Sequence, residues 1–99
     1  MALTDHQKKH LRRLGHALHP VVRVGQRGLT PGVTAELARA LDDHELVKVR
    51  ARVGDRQARA AVLAELASAT GSELAFQIGN VGLFYKKNNK LNKVLIPDS

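Results

Sequence analysis

The chain has no cysteine and no tryptophan, and its only aromatic residues are Phe76, Phe84 and Tyr85. Without cysteine there can be no disulfide, thiolate zinc site or cysteine nucleophile, which fits a reducing compartment. The shortage of aromatics argues against a single-strand binder that reads bases one by one on stacking platforms, and favours recognition of backbone and shape. Long apolar runs are missing too. No stretch approaches the ~18 residues needed to cross a bilayer. Residues 1–18, MALTDHQKKHLRRLGHAL, are interrupted by charge too often to form the apolar core of a signal peptide. No membrane association is therefore expected, and the expected location is cytoplasmic. The phosphate loop, the dinucleotide fingerprint and the recognised nucleophile motifs are likewise missing. The expectation is a protein that is not an enzyme and takes neither cofactor nor small-molecule substrate.

Acid is in short supply as well. Against 16 Lys and Arg the chain sets 9 Asp and Glu, a formal net charge of +7 and a pI near 10.4. A surplus of this size within one domain is the electrostatic footprint of a polyanion binder. The 99 residues, 43% hydrophobic and 25% charged, suit a single globular domain over residues 1–99, expected to be monomeric.

Thr4 is a good helix N-cap, and Leu11, Leu14 and Leu18 recur behind it at helical spacing, predicting a helix from about Asp5 to Leu18 that Pro20 stops. Val21 to Val24 reads as a short strand. Thr30 and Pro31 form an N-cap followed by a proline pre-set for helical φ, opening a helix through Val33, Leu37 and Leu41 to about Asp43. From Glu45 to Val53, valine and alanine alternate with Lys48, Arg50 and Arg52, the period-2 pattern of a sheet with one face buried. Asp55 caps a third helix, closed near Thr70 by Gly71. Glu73–Ile78 and Leu83–Tyr85 are strands joined by a turn at Gly79–Asn80, and a basic tail occupies 86–99, with Val94, Leu95 and Ile96 as a last apolar patch. The expected fold is α/β, ordered helix, strand, helix, strand, helix, strand, strand, with a mixed four-stranded sheet and the helices on one face. The other face would show Arg23, Lys48, Arg50, Arg52 and Gln77 to solvent. Phe76, sharing a side with Leu74 and Ile78, is expected in the core, leaving Phe84 or Tyr85 to face outward, where one base could stack.

Among the motifs, Gly25-Gln26-Arg27-Gly28 stands between a strand and a helix. Glycines there let backbone N–H groups approach a phosphate, the helix N-terminus adds positive potential, and Arg27 supplies a planar donor fork. The same spacing in the KH domain clamps a nucleic-acid backbone, although a plain tight turn explains most isolated G-x-x-G sequences. Gly79-Asn80-Val81-Gly82 opens no helix and reads as a hairpin turn. On the first helix Lys8, Lys9, Arg12 and Arg13 have only Asp5 as a nearby acid and are assigned to the polyanion surface. His6 and His10, at i and i+4, lack the companions of a zinc site, so no metal is expected.

The run from His19 to Arg50 resembles the CRM domain (chloroplast RNA splicing and ribosome maturation), most closely its free-standing bacterial YhbY form. The similarity rests on Val24-Gly25-x-x-Gly28-Leu29-Thr30, on His44-Glu45-Leu46-Val47-Lys48-Val49, on Thr70-Gly71, Gln77-Ile78-Gly79 and Leu83-Phe84-Tyr85, and on a basic tail reaching Ile96-Pro97. Gly82, close after Gly79, is more glycine than that pattern leads one to expect. The resemblance implies a domain like the C-terminal domain of bacterial translation initiation factor three. It also implies RNA as partner, association with precursors of the large ribosomal subunit through the Gly25–Gly28 loop, and no enzymatic activity; plant relatives serve group II intron splicing. The expected RNA-binding residues are that loop, the basic first helix, and Arg23, Lys48, Arg50 and Arg52. Two other readings remain: a DNA-binding or nucleoid protein using the second helix, which offers Arg39 alone as a basic residue, and an interaction module pairing through Val94–Ile96.

Overall fold

A computed structural model describes residues 3–88 and Pro97. The order of elements is α1 (Asp5–Gly15), β1 (Val22–Val24), α2 (Pro31–His44), β2 (Leu46–Ala51), α3 (Arg56–Thr70), β3 (Glu73–Ile78) and β4 (Val81–Tyr85). Capping chemistry sets the helix ends. Thr4 and Gln7 form a reciprocal capping box, Thr30 accepts from the Val33 amide ahead of Pro31, Asp55 accepts from the Ala58 amide, and Gly71 closes α3 in the left-handed conformation. The helix that the leucine spacing carries to Leu18 stops at Gly15. The patch Val94–Ile96 lies outside the described residues.

The four strands form one mixed sheet in the order β1-β2-β4-β3. β1 lies parallel to β2, and β4 runs antiparallel to both β2 and β3. The β3–β4 turn at Gly79–Asn80 is the hairpin that the sequence indicates.

The helices do not share a face. On one side α2 and α3 bury Leu37, Leu41, Leu63 and Leu66 against Val22, Val24, Val47, Val49 and Phe84. On the other, α1 buries Leu11 with Leu46, Leu83 and Tyr85. Gly15 packs directly on the sheet: a Cβ there would stand 2.8 Å from a Leu83 methyl group. The expectation of a one-sided layout is corrected by residues of the wrong parity. Leu46, Leu83 and Tyr85 lie on the side of Lys48 and Arg50, and so much apolar surface needs a cover of its own.

Two further expectations change. Phe84 (0% exposed) and Tyr85 (3%) are both buried, so neither offers a ring for stacking. The register of β3 shifts between Leu74 and Phe76. This bulge at Ala75 sends Leu74 toward α3 and Phe76 toward α1, and places Gln77 opposite Gly82 on the α3 side rather than on the cationic face.

Glu45 closes α2 at φ 63°. It is 1% exposed. Its carboxylate accepts from the Asn88 amide at 2.9 Å, and its carbonyl accepts from the Lys86 amide at 2.9 Å. The residue ties the chain leaving β4 to the α2–β2 junction. Burial first, and the nearby Glu45 charge second, raise the phenol of Tyr85 above its ordinary 10.0. The fold thus favours the neutral phenol. Its contribution is fully present below pH 10.0 and is lost as the pH rises through the higher native value. Tyr85 is the only tyrosine, so phenolate absorbance reads it alone. The native midpoint should lie above that of the chain in urea, and a native midpoint at or below 10.0 would show an uncovered second face.

Candidate nucleic-acid interface

At the end of the sheet where β1 and β2 finish, two loops run side by side into helix N-termini. The Gly28 amide donates to the Gly25 carbonyl at 2.9 Å, making Gly25–Gly28 a tight turn ahead of α2. Gly28 sits at φ +71°, where a side chain would strain the backbone. Gly25 has no such need: its φ is not in the left-handed range, and a Cβ there would meet nothing within 4 Å. Nothing inside the described chain accounts for the missing side chain. Among the described residues the amides of Gln26, Arg27 and Leu29 donate to no protein acceptor, and Gln26 and Arg27 are exposed. The first turn of α2 holds no acid and its cap is the neutral Thr30, so its positive end is uncompensated.

The neighbouring loop begins at Arg52, whose amide donates to the Val24 carbonyl at 2.8 Å and so holds it against the Gly25 turn. It leads into α3, capped by the carboxylate of Asp55. The turn between β3 and β4 reaches the same end, with the Ala51 amide bonded to the Asn80 carbonyl at 2.7 Å.

The α1 side of the sheet carries its own cations. Arg23 and Arg50 are direct partners in the β1–β2 register. Adjacent strands lie only about 4.8 Å apart, and like charges so placed oppose folding. Among the described residues neither arginine has an ion-pair partner, and the Arg50 Nε is buried without a hydrogen bond. Lys48 lines one cleft together with Arg12 of α1, so the helix and the sheet present charge to a common surface. Lys8 lies one turn before Arg12 and is half-buried, while Lys9 and Arg13 are exposed.

Two arginines at this end escaped the sequence reading. Arg56 opens α3 and Arg59 follows one turn later, beside Gln77 and Gly79. A signal was present: basic residues in a first helical turn oppose the helix dipole, which favours acids there. Among the described residues no group of three or more His, Cys, Asp or Glu side chains is arranged to hold a metal ion. None of the described helices is long and apolar enough to cross a membrane.

The CRS1/YhbY (CRM) domain family matches residues 3–86. The chain belongs to that family. A Pseudomonas aeruginosa CRM relative, named as a probable RNA-binding protein, is 50% identical over 95 residues, covering 96% of this chain and 91% of its own. An RNA-binding protein of Haemophilus influenzae is 35% identical, covering 96% and 95%. A probable RNA-binding protein of Bacillus subtilis is 30% identical, covering 96% and 99%. The CRM domain here is also similar to the solution structure of a hypothetical Staphylococcus aureus protein, described as a candidate RNA binder. The TM-score is 0.86 at 27% identity, covering 97% of this chain and 100% of that one.

Proposed function

We propose that this CRM domain acts as a single non-catalytic unit binding structured RNA in the cytoplasm, as an assembly factor on precursors of the large ribosomal subunit. The observation that carries the RNA reading is the Arg23–Arg50 pair, unopposed among the described residues, beside a glycine turn and an acid-free helix N-terminus. A folded chain gains nothing from that pair, whereas a phosphate between the two guanidinium groups turns repulsion into two charge-assisted contacts. The names of the CRM relatives support the choice of RNA, and the resemblance to the YhbY form supports the ribosomal assignment. In this reading Gly25, Gln26, Arg27 and Gly28 receive one backbone phosphate. Lys8, Lys9, Arg12 and Arg13 on α1 extend the surface, as do Arg23, Lys48, Arg50 and Arg52, and we add Arg56 and Arg59. No ligand other than RNA is needed, and the chain works as a monomer. The DNA reading gains no support from α2, which buries Leu37 and Leu41 against the sheet and has no basic residue in its first turn.

Arg27→Glu is the direct test. Losing one charge-assisted contact costs ~1.5–3 kcal/mol, and the added negative charge raises that, so affinity should fall at least about tenfold with the melting temperature unchanged. The probes are a folded fragment of large-subunit ribosomal RNA and a duplex DNA of equal length, in competition. Equal affinity of a folded mutant for the RNA removes the loop from the site, and preference for the DNA removes the RNA reading. Co-sedimentation with ribosomal particles at several salt concentrations tests the assembly role.

A further inference from the structure

Among the described residues the α1 side of the sheet keeps an uncovered apolar strip. Beyond the last turn of α1 a cleft of about 240 Å³ has Phe76, Ile78 and Leu83 along its floor, with Arg12, His16 and Lys48 at its rim. Ile78 is 61% exposed. Of the three aromatic rings, Phe84 and Tyr85 are buried, whereas Phe76 is half-buried, turned to this side by the bulge at Ala75. The guanidinium carbon of Arg12 lies over the Phe76 ring, 4.2 Å from its centroid.

We propose that this cleft receives one unpaired nucleobase, stacked on the layer that Arg12 and Phe76 form beside Ile78, while Lys48 holds the flanking phosphate. The site rests on the RNA-binding reading above and gives it a place where bases rather than backbone are touched. Three features favour a nucleobase as occupant. The described lining contains no acid, so it complements an anion attached to an apolar body and repels a basic peptide. The volume falls below the ~300 Å³ at which drug-sized pockets begin, enough for one planar group and too small for a helix or strand. An arginine already layered on a phenyl ring is the arrangement on which exposed bases stack in RNA recognition, where guanidinium planes and aromatic rings serve alike.

Two labelled RNA hairpins serve as probes, identical except that one carries abasic sugars in place of its unpaired loop nucleotides. The wild-type chain should prefer the intact loop by on the order of tenfold, within the range of one stacked base. Phe76→Leu and the exposed Ile78→Ser should each bring that ratio toward one. Because the chain has no tryptophan, Phe76→Trp supplies a single reporter, whose emission the intact loop should quench and the abasic loop should not. A ratio that survives both substitutions, or quenching that is equal for the two hairpins, overturns the base site. Equal wild-type affinity for the two RNAs overturns it alone; no affinity for either overturns the RNA reading as well.

Discussion

Replacing Lys48, Arg50 and Arg52 together by glutamine should lower RNA affinity by roughly a hundredfold, if each lost phosphate contact costs on the order of tenfold and the contacts overlap. The thermal midpoint should stay where it is or rise. Arg52 is exposed and unlinked to any acid among the described residues, so its charge contributes little to folding. Arg50 opposes folding twice, through the like charge of Arg23 beside it and through a buried Nε without a partner. The wild-type slope of log K against log salt should be about −3 to −5, corresponding to about four to six neutralised phosphates. The triple mutant should flatten it by two to three units. Losses should be similar across unrelated RNA sequences, because backbone contacts carry no sequence information. Normal RNA affinity combined with failure to join ribosomal precursors would reassign the face to a protein partner. Unfolding of the mutant would show that the charges hold the sheet together.

The elements themselves were legible because their signals are local. Thr30-Pro31, Asp55 and Gly71 mark helix ends through bonds to their near neighbours, and the alternation from Val47 to Ala51 marks a strand whatever covers it. The layering was not legible in the same way. Periodicity shows which side of an element is apolar, not which layer that side meets, so α1 could be assigned to either face. The clue was the company of Lys48 and Arg50: Leu46 precedes them at the same parity, and Leu83 and Tyr85 share their side across the register with β4. A face both cationic and apolar is half covered, and α1 is the cover. The bulge at Ala75 left no mark in the sequence. One inserted residue reverses every side chain beyond it, which is why Gln77 and Phe76 exchanged their expected faces. Within the candidate site, the loop and the strand cations follow from spacing and charge. The contact between Arg12 and Phe76 follows only from the packing of α1.

Leu11→Ala and Leu14→Ala should differ sharply, although helical spacing treats the two leucines as equals. Leu11 is 0% exposed and packs with Leu46, Leu83 and Tyr85, whereas Leu14 is 41% exposed at the edge of the helix. Truncating a leucine inside a core costs ~2–5 kcal/mol, through the lost transfer energy and the cavity left behind. At an exposed position the cost should stay below about 1 kcal/mol, because little apolar surface is re-exposed. Against the 5–15 kcal/mol typical of small domains, the first substitution removes a large part of the stability. Urea unfolding followed by circular dichroism measures both, with an unchanged m-value confirming that the midpoint reports stability. Among the described residues α1 is the one helix on its side of the sheet, so no second described helix holds it when Leu11 is shortened. Its amides should then exchange with solvent before those of β4, which lies between two strands. Arg12 reaches Phe76 only while the helix is seated. Leu11→Ala should therefore also lower the preference for an unpaired loop before the domain unfolds, and Leu14→Ala should leave it intact. Equal stability costs for the two variants would mean that α1 does not rest on the sheet through Leu11.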